Sequence, residues 1–128
     1  MNLLDENFPE DQLPLLKDWR IPFRRIGEVA RWGIKDPDII PVLHRIGRVT
    51  FFTQDEDFFS RKLCHAAYCL VWLNIPADDA ALYVRCLLSH PRFRTEKQRM
   101  GTVARAHHNG IHFWQRNRST LQQVEWPS

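Results

Sequence analysis

The chain has 128 residues, 44% hydrophobic and 26% charged, which supports one domain core, is too little for two, and is not the composition of a disordered chain. A formal charge of +3, carried mostly by arginine, admits a nucleic-acid partner without establishing one. No apolar run is long enough to span a bilayer, and Met1 to Glu6 carries neither a basic leader nor a cleavage site, so the expectation is no membrane and a cytoplasmic location.

Asn2-Leu3-Leu4 is a short apolar run cut off by Asp5-Glu6-Asn7, a first strand and its exit loop. Pro9 suits the first turn of a helix, Leu13, Leu15 and Leu16 supply its apolar face, and Pro14 keeps it short. Ile21 to Ile26 is expected as a second strand, followed by a loop to Gly33. Asp36-Pro37-Asp38 is a helix start, with Asp36 as the cap and Ile39, Ile40, Val42, Leu43 and Ile46 as the buried face; Gly47 closes it. A strand from Arg48 follows, rich in β-branched and aromatic residues through Phe52, and runs into the acidic turn Thr53-Gln54-Asp55-Glu56-Asp57.

A helix from about Glu56 to Leu63 is expected next, then a buried central strand over Tyr68 to Leu73 with Trp72 in the core. Asp78 is positioned to cap a helix reaching Ser89, where Pro91 stops it, and a short polar helix spans Thr95 to Met100. Thr102 to His107 and Ile111 to Gln115 flank His108-Asn109-Gly110, and Asn-Gly is a strong hairpin signal. The three cysteines, Cys64, Cys69 and Cys86, have no paired metal-type spacing and read as buried free thiols. Strands alternating with helices predict a three-layer α/β domain over residues 1–116, with a largely parallel sheet, helices on both faces and a C-terminal antiparallel hairpin. Residues 117–128 are expected as a loose tail.

In such a sheet the strand exits share one rim. Asp5 then lies after the first strand, Asp55 and Asp57 after the strand from Arg48, and Asp36 at the start of a helix whose N-terminus belongs near that rim. Each acid also has an ordinary role: Asp36 and Asp55 as helix caps, Asp5 in a turn, Asp57 complementing a helix dipole. Convergence is what favours chemistry, since clustered carboxylates repel unless a cation relieves them, and hard oxygen ligands suit Mg²⁺ or Mn²⁺.

Leu3-Leu4-Asp5-Glu6-Asn7, Asp36 with Ile39-Ile40 behind it, and Gly47-Arg48-Val49 running into Thr53-Gln54-Asp55-Glu56-Asp57-Phe58 together resemble the short PIN-like nuclease domains. The resemblance extends to VapC-type toxins of toxin–antitoxin modules, which are metal-dependent ribonucleases. It implies a PIN-like fold and a divalent-metal-dependent endoribonuclease with RNA as substrate, a small antitoxin protein as partner, and a possible homodimer. It further implies Asp5, Asp36 and Asp55 as metal-binding acids, Asp57 as a supporting one, and Thr53 as the residue that orients the acidic turn. Phe59 stands where the family often carries glycine, and the acidic set is thinner than in larger PIN nucleases. A catalytically weak or inactive interaction module is therefore the alternative.

Other chemistry is less well supported by the residues. The six histidines form no metal motif, and no glycine-rich phosphate loop is present. Trp19, Trp32, Trp72 and Trp114 are candidates for stacking on unpaired bases, against core packing for Trp72. Arg24, Arg25, Arg92, Arg94 and Arg99 are candidates for guiding an RNA backbone, against plain solvated surface. A phosphoacceptor receiver domain would also place acids after these strands, but it needs a lysine after a late strand, and none follows Lys97.

Overall fold

A computed structural model of the chain describes residues 1–127. Its core is one seven-stranded sheet in the order β2-β1-β3-β4-β5-β6-β7. The strands are β1 (Asn2–Leu4), β2 (Arg24–Arg25), β3 (Val49–Thr53), β4 (Tyr68–Leu73), β5 (Thr102–His107), β6 (Gly110–Gln115) and β7 (Gln122–Val124). The first five run parallel; β6 and β7 are antiparallel additions at the β5 edge. The helices are α1 (Leu13–Asp18), α2 (Ile26–Val29), α3 (Asp36–Ile46), α4 (Ala80–Ser89) and α5 (Glu96–Arg99).

Strand alternation sorts the apolar side chains into two cores on opposite faces of the sheet. Leu4, Phe52, Val71, Leu73, Ala104, Ala106 and Phe113 pack with Leu16 of α1 and with Ala80, Ala81, Val84 and Leu87 of α4. Leu3, Val49, Phe51, Leu70 and Val103 pack with Ile39, Val42 and Leu43 of α3 and with Phe58. Helices therefore cover both faces, and β3, held between β1 and β4, has all five residues buried. Phe51 and Phe52 point to opposite layers, each fully buried and each worth about 1.5–3 kcal/mol of burial.

Several local expectations are corrected by competing bonds. The second strand shrinks to Arg24–Arg25: Pro22 lacks an N–H for the ladder, and Ile26 already begins α2. Lys35, not Asp36, occupies the cap position of α3; no side chain caps there, and Asp36 is the first helical residue. Ile40 and Ile46 pack only at the margin of the core. The helix expected after the acidic turn is instead two 3-10 turns, Glu56–Phe58 and Arg61–Leu63. Asp55 caps the first turn and Ser60 restarts the chain by capping the second. Helix α4 gets its cap from a distance, since buried Gln12 accepts a bond from the Ala81 N–H at 3.0 Å.

The hairpin forms, closing between His107 and Gly110. Gly110 has φ 143, and a Cβ there would collide with the Val124 carbonyl, so the tail's close passage demands glycine. That tail is not loose. Gln122–Val124 pairs with β6 as β7, and the Trp126 indole N–H donates to the His107 carbonyl at 2.6 Å while its ring packs on Tyr83 and His90. Ser128, the last residue of the expected tail, lies outside the described residues. Among the described residues no helix is long and apolar enough to cross a membrane.

Candidate metal centre

Connections from β1 lead to β2 on one side, and those from β3 lead to β4 on the other. The reversal makes β1 and β3 the switch point of a doubly wound sheet, where a crevice opens beyond the carboxyl ends of the strands. Asp5 leaves β1 at this point and Asp55 leaves β3.

The two exits are tied together by Thr53. Its hydroxyl donates to Asp5 Oδ2 at 2.7 Å and accepts from the Asp55 N–H at 3.0 Å and from Asn7 Nδ2 at 3.2 Å. A hydroxyl has one proton and two lone pairs, so every bond it can make is used. Both lone pairs face N–H donors, which commits the proton to Asp5. Asn7 completes the clasp by accepting from the Gln54 N–H at 3.1 Å, and Gln54 in turn reaches the Ile75 carbonyl beyond β4.

Asp5 is buried, and its other oxygen accepts from the Glu6 N–H at 2.8 Å. Burial pushes its carboxyl above the usual range; the bonds from Thr53 and Glu6 oppose that, and the charges of Asp55 and Glu6 add to it. In front of it, Asp36, Asp55 and Asp57 each present a carboxylate oxygen, and these oxygens lie within 4.8 Å of one another. Asp55 is held in place by accepting from the Asp57 N–H at 2.9 Å. The Asp36 carboxyl is pushed up to about 6, first by the hydrogen bond it shares with Asp55, then by burial, then by the negative charges of Asp55, Asp5 and Asp57.

Of the four expected acids, then, three converge, and Asp5 stands one layer behind them, coupled through Thr53 and through its charge. Asp36 is free to join because it does not cap its helix. Beside the cluster, Pro37, Ile40, Phe58 and Leu63 line an apolar depression with Asp36 and Asp57. The donor set is wholly carboxylate oxygen, from the start of α3 and from the turn after β3, a set that fits a hard divalent cation with several open positions.

Asn7 is the residue whose role sequence reasoning missed: it reads there as an ordinary turn residue, and its only signals are its place three after the end of β1 and at the end of the Leu3-Leu4-Asp5-Glu6-Asn7 stretch. The expected RNA-guiding arginines scatter. Arg99 is buried at the strand-start rim, bonded to Thr50 and to the Phe93 carbonyl, and Arg92 and Arg94 lie on the chain leading to that same rim. Arg25 alone of these lies near the acidic crevice, paired to Glu10 at 3.3 Å and set over the Trp32 ring at 4.7 Å. Trp72 is not a core residue: it is partly exposed. No family model matches the chain, and no curated protein or solved structure matches it.

Proposed function

We propose that the protein is a divalent-metal-dependent endoribonuclease of the PIN-like kind, the toxin of a toxin–antitoxin module held in check by a small antitoxin. The observation that supports this most strongly is the convergence of Asp36, Asp55 and Asp57 at the switch point, with Asp5 behind them. Three carboxylates in one crevice raise each other's energy, and the Asp36 carboxyl is pushed up to about 6, by its hydrogen bond with Asp55 first and by burial and the neighbouring charges after it. Mg²⁺ or Mn²⁺, if held by Asp36, Asp55 and Asp57, would supply Lewis acidity for phosphodiester hydrolysis.

The chain's own residues do the rest. Asp36, Asp55 and Asp57 hold the ion, with Asp55 fixed by its own turn. Asp5 adds negative charge without giving up its bonds to Thr53 and Glu6. Thr53 and Asn7 keep the β1 and β3 exits in register, so the acids do not spread apart under their repulsion. The apolar side chains of Pro37, Ile40, Phe58 and Leu63 wall the site beside Asp36 and Asp57.

A phosphoacceptor reading would draw on the same strand order, but Lys97 lies in α5, on the strand-start side of the sheet. Cleavage of an RNA by wild type and Asp55→Asn, with Mg²⁺ or Mn²⁺, tests the proposal. The variant should lose about 10²–10³-fold in rate, the scale for removing one charge-stabilising group from a site. Equal cleavage by both proteins would end the nuclease reading.

A further inference from the structure

Thr53 does more than hold the acids, because it also begins a row of side chains across the sheet. Thr53 is in register with Trp72, Trp72 with Arg105, Arg105 with His112, and His112 with Gln123. Residues paired in register project from the same face, and strands are spaced about 4.8 Å apart, so Arg105 stands roughly 10 Å from Thr53. The rows nearer the strand starts are covered: Leu70 and Val103 on this face are fully buried. In the Thr53 row the cover ends. Trp72, Arg105 and His112 are partly exposed, and Gln123 is exposed.

This open face is basic and aromatic. The Arg105 guanidinium sits 5.3 Å from the centre of the Trp72 ring, and the Phe59 ring lies tilted against it, 5.9 Å away. With the Asn74 amide turned so that its oxygen faces the guanidinium, that oxygen accepts from Arg105 Nη2 at 2.9 Å and Nε at 3.0 Å. These bonds fix Arg105 and leave its remaining N–H groups free to donate. The His107 and His112 rings lie 4.6 Å apart, tilted against each other, and Arg61 lies over the neighbouring Trp114 ring. The charges that act on His107 are those of His112, Arg105 and His108, all basic. Among the described residues, Arg105 and Arg61 make no ion pair.

A rigid aromatic beside an unpaired, oriented guanidinium on an open sheet is the arrangement that stacks an unpaired base and holds the phosphate next to it. The patch lies along the register row of Thr53, which is buried and bonded to Asp5, and it is opposite in charge to the acids. Its charge suits a polyanion, whereas the acids alone would repel one.

We propose that the face made by Trp72, Arg105 and His112 is the track on which a single strand of RNA lies as it enters the acidic crevice, with a base stacked on Trp72 and its phosphate held by Arg105. The proposal rests on the ribonuclease reading for its choice of RNA. Its test uses no divalent ion, so that the two stand or fall separately.

Binding of a fluorescently labelled, unstructured RNA oligonucleotide is measured by anisotropy in EDTA across a salt series. Wild type is compared with Trp72→Leu, Trp72→Phe, Arg105→Gln and, as a control on the other side of the sheet, Arg92→Gln. Trp72→Leu should weaken binding by about 10-fold or more at every salt concentration, and Trp72→Phe should restore most of it. Arg105→Gln should weaken binding and lower the salt slope by about one. Arg92→Gln and a blunt RNA duplex serve as the contrasts: unchanged binding for the first and weaker binding for the second. Photocrosslinking of a 4-thiouridine RNA to the wild-type protein supplies a readout independent of variant folding, with adducts expected on the β4 and β5 peptides. Crosslinks confined to other peptides, or Trp72→Leu and Arg105→Gln binding as wild type does, would overturn the track. Loss of RNA cleavage with this pattern intact would instead remove the nuclease reading and leave an RNA-binding face.

Discussion

Strand β3 carries a buried threonine near each end, and the two ends are built on opposite principles. At the start, Thr50 accepts from Arg99 Nε at 2.9 Å, Arg99 Nη1 donates to the Phe93 carbonyl at 2.8 Å, and the N-terminal ammonium meets Glu96 at 2.7 Å. Each charge there has a partner of opposite sign or a carbonyl dipole. At the exit, Thr53 is equally saturated with hydrogen bonds, but the charges it organises are all negative. Opposite charges in bonded pairs hold a rim together. Like charges gathered by a clasp cost stability, and a fold keeps them at a fixed place where something else can use them.

The difference is sharpened most by changing one charge at each end. Asp55→Asn at the exit should leave the melting midpoint close to that of the wild type, or raise it, while removing metal-dependent cleavage. Arg99→Met at the start should do the reverse: it strands the Thr50 hydroxyl and the Phe93 carbonyl in the interior, at a cost of roughly 2–3 kcal/mol in denaturant unfolding. Metal response should survive in that variant. If Arg99→Met abolished the metal response while remaining folded, the separation of the two rims would be wrong.

Thr53→Val attacks the clasp itself. It deletes one hydroxyl and leaves Asp5 Oδ2, the Asp55 N–H and Asn7 Nδ2 each missing a bond. The loss should be about 1–3 kcal/mol of stability together with 10–100-fold in metal affinity, the range for removing a group that orients ligands. Thr53→Ser keeps the hydroxyl and should recover most of the affinity. Calorimetric titration with Mn²⁺ reads both. Equal affinity in wild type and the valine variant would mean that the acids need no clasp.

A smaller effect is expected from pH. Asp36 has its carboxyl raised from 3.8 to about 6 in the folded chain. A raised pKa contributes stability that is fully present below about pH 3.8 and is lost as pH rises through about 6. The metal-free protein should therefore lose this contribution between about pH 3.8 and pH 6, and Asp36→Asn should flatten that part of the profile. An added divalent ion should reverse the trend, since it binds the deprotonated acids. Thermal melts at the two pH values, with EDTA and with Mn²⁺, give the comparison. A wild-type profile indistinguishable from that of Asp36→Asn would show that the two carboxyls share no proton.

How much of this was legible in the sequence depends on how local each feature is. Strands β1, β3 and β4 and the β5–β6 hairpin follow from short apolar runs and the Asn109-Gly110 signal. Helix α3 follows from its spacing of Ile39, Val42 and Leu43. Strand β7 was not legible, because Gln122–Val124 has no pattern of its own and is made a strand by the free edge of β6. Residues 56–63 misled because the composition suits a helix, whereas Ser60 offers the backbone a competing bond with the Lys62 N–H. In the site, the acids stand out in sequence, but which of them meet is a tertiary fact. Asp36 reads as a cap and is not one. Asn7 reads as turn filler and bridges two strands. Trp72 follows the alternation of Tyr68 and Leu70 and reads as core; only the extent of the helical cover reveals that its row is open.

The proposed nuclease needs Asp36, Asp55 and Asp57 to form one cation site in the folded chain. Thermal melts of wild type and Asp55→Asn at pH 7.5, with and without saturating Mn²⁺, test it most directly. For the wild type, an ion at 100 times its dissociation constant should add about 2.7 kcal/mol, seen as a clear rise in the midpoint. Asp55→Asn should show little or none of that rise. A wild-type midpoint unmoved by Mn²⁺, or the same rise in both proteins, would contradict the account.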